Sequence, residues 1–178
     1  VDTDLFQPRR TTQEQNNDSY LLFTGRINDP RKNVSMLFKA FARVLTELSD
    51  VRLVLTGDEP NDYLFESASE AGVLSKVDFV GRQNEQQLVS LYQGAEVFVL
   101  ASNQEGLGIS VLEAMACGRP VIMYGDSERE PLVNGKTGYL IDNNFSSLTY
   151  TVRPNIKSGI EDNDVFQFPV MWRHLFLH

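Results

Sequence analysis

The sequence predicts an α/β fold: a doubly wound, Rossmann-like parallel sheet with helices on both faces. Short apolar runs of strand length alternate along the chain with segments whose apolar residues recur at spacings of three and four. The runs lack the period-two alternation of a half-exposed strand, which indicates that helices cover both faces of the sheet. Several runs end in glycine, a residue that marks the turn out of a strand.

Six strands and four helices follow from this pattern, and they alternate as repeated βαβ units require. The predicted strands are Tyr20–Gly25, Val51–Gly57, Val77–Gly81, Val97–Ser102, Pro120–Tyr124 and Gly138–Ile141. The predicted helices are 34–48, Tyr63–Gly72, Glu85–Gly94 and Ile109–Cys117. In such sheets a ligand binds beyond the carboxyl ends of the strands, so candidate residues are expected directly after each strand.

Composition narrows the possible functions. The 178 residues fit one ordinary domain, and the formal net charge of −8 argues against sequence-independent nucleic-acid binding, which needs a basic face. The single cysteine, Cys117, cannot form an internal disulfide, which favours a reducing, cytoplasmic setting. No apolar run approaches the roughly 20 residues that span a bilayer, and the first residues do not resemble a signal peptide.

The loop after the fourth predicted strand has the clearest ligand-binding chemistry. Glu105-Gly106-Leu107-Gly108 joins that strand to a helix predicted to begin near Ile109. The glycines let the backbone approach a ligand closely, and the unpaired N–H groups of the helix's first turn favour an anion such as phosphate. Glu105 and Glu113 would repel phosphate, so we expect these carboxylates to accept hydrogen bonds from sugar hydroxyls instead.

The stretch EGLGISVLEAMACGRPVI resembles the signature of the retaining group 1 glycosyltransferases, which have the GT-B fold. It combines two acids separated by seven residues, two loop glycines, a helix rich in small residues and a Gly-Arg-Pro exit. VDTDLFQP resembles the linker that enters the C-terminal domain of these enzymes, and LLFTGRINDPRKN resembles that domain's first strand and loop. GDEPND, VDFVGR and EPLVNGKTGYLI follow in the family's order, so the resemblance covers residues 1–143.

The resemblance implies roles for the acids and the glycine-rich loop. Glu113 would hold the ribose hydroxyls of a nucleotide-sugar, and Glu105 would contact the donor sugar and shape the reaction site. The backbone of Gly106, Leu107 and Gly108 would meet the diphosphate. These roles make Glu105 a candidate catalytic residue and place Glu113 and the loop in donor binding.

The resemblance also implies roles for the loops after the first and third strands. Arg26 and Lys32, in the loop that Gly25 opens, would clamp the diphosphate and serve as candidate catalytic residues. Fixed cations there would stabilise charge on the leaving diphosphate, so the resemblance implies neither a metal nor a further cofactor. Gly81 and Arg82 would lie near the base of the nucleotide.

The domain organisation implied is one half of a GT-B enzyme. Residues 1–18 would be an interdomain linker remnant, 19–144 the nucleotide-sugar-binding domain and 145–178 an atypical tail. The tail has no sustained helical period; it is a divergent end, the product of a truncated or frame-shifted gene, or a strand and hairpin. The acceptor site would lie on an N-terminal domain outside this sequence, so the isolated chain is expected to be inactive.

Two functional alternatives remain at this stage. A non-catalytic nucleotide-binding or scaffold domain would need the phosphate loop and Glu113, but it would not need Glu105. A nucleotide-sugar epimerase with a related double-domain fold is the other alternative. A Rossmann dehydrogenase is disfavoured because no G-x-G-x-x-G follows the first predicted strand. For the full-length enzyme, the resemblance allows peripheral membrane association.

Overall fold

A computed structural model describes residues 1–9, 19–104, 108–124 and 139–141, the last of these as backbone. Its six strands form one parallel sheet in the order β3-β2-β1-β4-β5-β6. The strands are β1 (Tyr20–Gly25), β2 (Arg52–Gly57), β3 (Val77–Gly81), β4 (Val97–Leu100), β5 (Val121–Tyr124) and β6 (Tyr139–Ile141). The predicted fold class is confirmed, and all six predicted strands are present.

Four α-helices connect these strands within the described residues, and each lies where the sequence predicts one. They are α1 (Val34–Leu45), α2 (Asp62–Glu70), α3 (Glu85–Gly94) and α4 (Ile109–Ala116). Single 3₁₀ turns occur at Pro30–Lys32 and Leu74–Lys76. The predicted ends of α1 and β4 were two to three residues too long; element ends are the least regular part of any helix or strand.

Local side chains fix where two of the helices begin. The Asn61 side chain accepts a hydrogen bond from the backbone N–H of Leu64 at the start of α2. Asn84 and Gln87 form a reciprocal capping box at the start of α3. Each interaction satisfies backbone donors that the first helical turn leaves without partners.

The central strands of the sheet are buried on both faces, as their uniform apolar runs predicted. The four central residues of β1 and all four residues of β4 are buried. The helices α1 and α2 pack against each other, whereas α3 and α4 form a second pair, with α3 also against β1. The largest fully buried side chains are those of Tyr92, Phe23, Phe38, Phe41, Phe98, Leu21, Leu22, Ile27, Leu37, Leu53 and Leu55.

The strand order reverses between β1 and β4. The chain moves outward from β1 to β2 and β3, returns to the other side of β1 with β4, and then continues to β5 and β6. The two loops that leave β1 and β4 at their carboxyl ends therefore flank the point where the strand order reverses. In open α/β sheets this switch point is where ligands bind.

The first nine residues pack against the domain. Phe6 is 7% exposed, and its ring meets the ring of Tyr92 edge-on at a centroid distance of 6.0 Å. The Gln93 side chain donates a hydrogen bond from Nε2 to the backbone oxygen of Gln7.

The division of the chain at residues 18 and 144 stays a prediction, and the tail 145–178 lies outside the described residues. No helix in the described ranges is long and apolar enough to cross a membrane.

Candidate functional site

The carboxyl ends of β1 and β2 approach each other so closely that only glycine fits. Gly25 and Gly57 are paired in register, with φ of +141° and +148°. A Cβ atom on Gly57 would lie 1.7 Å from the backbone oxygen of Gly25. This is far inside van der Waals contact, so both strands turn out of the sheet on glycine backbone. The predicted binding residue Gly25 thus shapes the start of the loop after β1.

An ion-pair cluster gives that loop its shape. Asp29 accepts hydrogen bonds from Nε and Nη2 of Arg31 at 3.0 and 2.7 Å, and Arg26 Nη2 lies 3.4 Å from its Oδ2. Hydrogen bonds from Arg31 hold the pKa of Asp29 well below its usual range. Both arginines thus pair with Asp29, and their side chains are 67% (Arg26) and 57% (Arg31) exposed.

Lys32 reaches back over the end of β1. It lies in the 3₁₀ turn Pro30–Lys32 and is half-buried. A Cβ atom on Gly25 would lie 3.6 Å from Lys32 Cε and 3.9 Å from Nζ. The ammonium group therefore lies directly beyond the carboxyl end of β1, where a ligand at the switch point would meet it.

The loops after β1 and β4 contact each other across the switch point. The backbone N–H of Asn103 donates to the backbone oxygen of Arg31 at 2.8 Å. The side chain of Asn33, which has a left-handed φ of +55°, donates from Nδ2 to Asn103 Oδ1 at 3.3 Å. Since Lys32 lies between Arg31 and Asn33, these bonds hold its backbone beside the β4 loop.

Glu113 lies on α4 and is half-buried. Its Oε2 accepts a 2.8 Å hydrogen bond from the Tyr92 hydroxyl, which lies 2.9 Å from the Thr24 hydroxyl. Burial raises the pKa of Glu113 above its ordinary value, and the bond from Tyr92 opposes that rise. Because Thr24 precedes Gly25, this chain of hydrogen bonds links the carboxylate to the end of β1, close to Lys32.

Gly81 ends β3 and Arg82 follows it, so both lie at the same edge of the sheet, with β2 between them and β1. Gly81 has a φ of +66°, and a Cβ atom there would lie 3.0 Å from Glu59 Oε1. Arg82 is paired with Asp58 at 3.0 Å, although its side chain is 83% exposed. These two residues are therefore on the predicted edge of the sheet and farther from the switch point than Lys32.

The glycine-rich loop is described in part. Glu105, Gly106 and Leu107 lie outside the described residues, so their predicted roles are not examined by the structure. Gly108 is described: it has a φ of +61° and directly precedes Ile109, where α4 begins as predicted. Glycine is favoured at this position because the left-handed conformation strains other residues.

Three residues that sequence reasoning did not assign to the site organise its surroundings. Tyr92 is fully buried on α3, yet its hydroxyl bonds Glu113. Asn28 donates from Nδ2 to Glu59 O at 2.7 Å and accepts from Asn61 N–H at 3.1 Å, which joins the β1 and β2 loops. Asn103 joins the β1 and β4 loops. A tyrosine on a buried helical face was the available signal, since a buried hydroxyl needs a partner.

Comparison with known proteins agrees with this geometry. The family model for glycosyl transferases group 1 matches residues 7–152. An uncharacterised glycosyltransferase of Methanocaldococcus jannaschii is 37% identical over 116 residues, covering 65% of this chain and 29% of that protein. The chain thus corresponds to less than a third of this relative's length.

Two solved structures share the fold. The C-terminal domain of a glycosyl transferase group 1 family protein from Francisella tularensis is 24% identical, with a TM-score of 0.76 over 94% of this chain and 92% of that one. Anabaena HepE, solved in complex with UDP and glucose, is 22% identical, with a TM-score of 0.73 over 94% of this chain and 47% of that one.

The sheet order, the switch-point edge and the family match together define a glycosyltransferase domain of the Rossmann-like type. The chain belongs to the group 1 glycosyltransferases, and its fold is that of the C-terminal domain of a member of this family.

Proposed function

We propose that this chain binds the nucleotide-diphosphate sugar donor of a retaining, metal-independent hexosyltransferase. The observation that carries the proposal is the meeting of three elements at the switch point. The loop after β1 brings Lys32 to the strand end, the loop after β4 is bonded to it through Asn103, and α4 supplies Glu113 beside them. Cations and a hydroxyl-accepting carboxylate within one crevice suit a ligand with both phosphate and sugar groups.

Charge distribution supports the proposed orientation of the donor. The diphosphate would lie toward Arg26, Lys32 and the start of α4, where positive charge and helix N–H groups are available. The ribose would lie toward Glu113, because a carboxylate accepts hydrogen bonds from hydroxyls and repels phosphate. Gly81 and Arg82, farther along the same edge, would lie near the base.

The proposed chemistry depends on positioning and on charge stabilisation. As the bond between the sugar and the diphosphate breaks, negative charge grows on the leaving diphosphate, and Arg26 and Lys32 would stabilise it without a metal. Glu105 would contact the donor sugar. The complex of HepE with UDP and glucose supports a nucleotide-sugar ligand for this fold.

The acceptor would be held by an N-terminal domain, so this chain by itself would bind donor without transferring sugar. The whole enzyme would act in the cytoplasm. Transfer itself is tested in the full-length protein with Glu105→Gln and with chelator. We expect the substitution to abolish transfer and the chelator to leave it unchanged; full transfer by the variant would contradict the catalytic role.

Donor binding is tested by calorimetry of the chain with UDP, GDP, ADP and CDP, each beside its nucleoside monophosphate. We expect at least one diphosphate to bind with a Kd below about 1 mM, equivalent to about 4 kcal/mol. Its monophosphate should bind more weakly because it lacks the second phosphate for Lys32. If no diphosphate binds more tightly than this, the donor-binding proposal is wrong.

A further inference from the structure

The side chain of Tyr92 is held from three directions. It is fully buried, and its ring packs edge-on against Phe6 at 6.0 Å and tilted against Phe98 at 5.6 Å. Helical side chains lean toward the N-terminus of their helix. Tyr92, near the end of α3, therefore reaches back toward the carboxyl edge of the sheet, where its hydroxyl meets Thr24 and Glu113.

The hydrogen bonds around this hydroxyl have one consistent direction. The Tyr92 proton is donated to Glu113 Oε2, so the Thr24 hydroxyl must donate to the tyrosine oxygen. Burial, together with the nearby charge of Glu113, raises the pKa of Tyr92 far above its usual value. The phenol thus stays protonated and remains a donor at any pH at which the protein functions.

This arrangement determines which carboxylate oxygen is available to a ligand. Within the described part of the chain, Tyr92 is the hydrogen-bond partner of the Glu113 side chain, and it engages Oε2. A carboxylate has about four acceptor sites on its two oxygens. The bond from Tyr92 restricts rotation about the last side-chain torsion, so Oε1 keeps a fixed direction with free acceptor capacity.

We propose that Tyr92, bonded in turn by Thr24, is a positioning residue that orients the Glu113 carboxylate toward the ribose hydroxyls of the donor nucleotide. The inference depends on the proposed function, because it assigns a ligand group to Glu113. It goes further in naming a buried residue that controls ribose recognition without touching the ligand. Phe6 and Phe98 hold the ring that presents this hydroxyl.

The test compares Tyr92→Phe with Tyr20→Phe, each of which deletes a hydroxyl at the contact between α3 and β1. Tyr92→Phe deletes the hydroxyl that bonds Glu113 and leaves the ring. Tyr20→Phe is the matched control: its hydroxyl donates to the backbone oxygen of Leu91 on the same helix at 2.7 Å, near the opposite end of β1. Tyr20→Phe loses one partly buried hydrogen bond, whereas Tyr92→Phe loses two, one with Thr24 and one with Glu113, and only the bond with Glu113 orients the carboxylate directly.

The measured quantity is ribose preference: the Kd of a 2′,3′-dideoxynucleoside diphosphate divided by that of its ribose form. UDP, GDP, ADP and CDP are each measured beside their dideoxy analogues. We expect the wild type to prefer ribose by about tenfold, because a hydroxyl bonded to a carboxylate is worth that much or more. Tyr92→Phe should lower the preference about three- to tenfold, whereas Tyr20→Phe should leave it unchanged.

Three further variants test how the Tyr92 hydroxyl acts. Glu113→Gln should lower the preference, and adding Tyr92→Phe to it should change little, because the tyrosine acts through the carboxylate. If Tyr92→Phe fails to fold, Thr24→Val, which removes the donor to the tyrosine oxygen, should lower the preference to a smaller extent.

The possible outcomes separate the two proposals. If the wild type binds no diphosphate, the proposed function is wrong. If it binds and Tyr92→Phe retains full ribose preference, or Tyr20→Phe loses as much, the positioning role of Tyr92 is wrong while donor binding stands.

Discussion

The two ends of β1 use similar groups for opposite purposes. At the amino end, the Tyr20 hydroxyl donates to Leu91 O and contacts the Gly94 backbone, so the strand closes against α3. At the carboxyl end, Thr24 begins a chain of hydrogen bonds that ends on the half-buried carboxylate of Glu113, and Lys32 lies over Gly25. Hydroxyls complete the packing at one end, and at the other they are hydrogen-bonded to a charged side chain.

The two ends of β1 also differ in the kind of atom that limits the space around them. Both ends are tightly packed, since a Cβ atom would clash at Gly94 as well as at Gly57. At Gly94 the clash is with a side-chain hydroxyl, whereas at Gly57 it is with backbone. Substitutions at the two ends should therefore differ in size and in whether a second substitution can relieve them.

The largest effect is expected from Gly57→Ala. Its Cβ would lie 1.7 Å from Gly25 O, at a φ of +148°, and neither backbone can move without breaking the strand pairing. We expect a loss of at least about 3 kcal/mol of unfolding free energy in urea titrations, or no folded protein. Gly72→Ala is the control, with φ +71° and no atom within 4 Å; its loss should be about 1 kcal/mol. Equal losses would refute the backbone-contact explanation.

The next effect concerns binding. Lys32→Ala should weaken nucleoside diphosphate binding by about 10- to 100-fold, because a charge-assisted contact with phosphate is lost. Lys76→Ala, which removes a cation just before β3 at the opposite edge, should change the Kd by less than about twofold. Calorimetry at low and high salt should show a salt dependence that shrinks in Lys32→Ala. A Kd that responds equally to both substitutions would mean that net charge, rather than the site, attracts the ligand.

A smaller effect is expected at Gly94. Its Cβ would lie 2.5 Å from the Tyr20 hydroxyl oxygen, which is a movable side-chain atom. Gly94→Ala should cost about 1–2 kcal/mol. In a Tyr20→Phe background the same substitution should be neutral or stabilising, because alanine is the better helix former. The double-mutant cycle measures this coupling, and additive losses would show that the hydroxyl is not the obstacle.

The smallest effects are changes in Tm on substituting two carboxylates at the carboxyl edge, Glu113 and Asp29, and the two changes should have opposite signs. Burial raises the Glu113 pKa above its ordinary 4.5, so ionising it opposes folding. Glu113→Gln should therefore raise the Tm of the free protein by about 1–3 °C at pH 8, and this gain should vanish as the pH falls below about 4.5.

Asp29 should show the opposite sign. Arg31 lowers its pKa below the ordinary 3.8, so the charged form stabilises the fold. Asp29→Asn should lower the Tm at neutral pH, and the difference should begin to shrink as the pH falls below 3.8, because the carboxyl of the unfolded chain then protonates while that of the folded protein stays charged. Thermal unfolding between pH 3 and pH 8 checks both signs; a destabilising Glu113→Gln would mean that this carboxylate contributes to stability.

Much of the fold was predictable because each element has a local signal. Uniform apolar runs such as VFVL, followed by glycine-rich turns and helical spacing, determine a buried parallel sheet without any knowledge of tertiary contacts. The neighbourhood of Lys32 and Glu113 was predictable because both follow strands at one edge. The closeness of Gly57 to Gly25 was not, since it depends on the register between β1 and β2.

The hydrogen bonds that organise the site depend on pairs far apart in the sequence. Tyr92 lies 68 residues from Thr24 and 21 from Glu113, and their meeting requires the packing of α3 against α4 and β1. The helical spacing of Leu88, Leu91 and Tyr92 indicates one apolar face of α3, but it does not identify the partner of the Tyr92 hydroxyl. The contact between Asn103 and Arg31 likewise follows from the adjacency of β1 and β4, which the alternation of elements leaves open.

The central claim is that the ligand binds at the carboxyl end of β1, beside β4 and α4. The most direct measurement is an amide chemical-shift titration of ¹⁵N-labelled chain with the nucleoside diphosphate that binds most tightly. The account predicts the largest shifts at Thr24, Gly25, Asn103 and Gly108, and small shifts at Tyr20 and Gly94. Shifts concentrated at Tyr20 and Gly94, or spread evenly over the sheet, would contradict it.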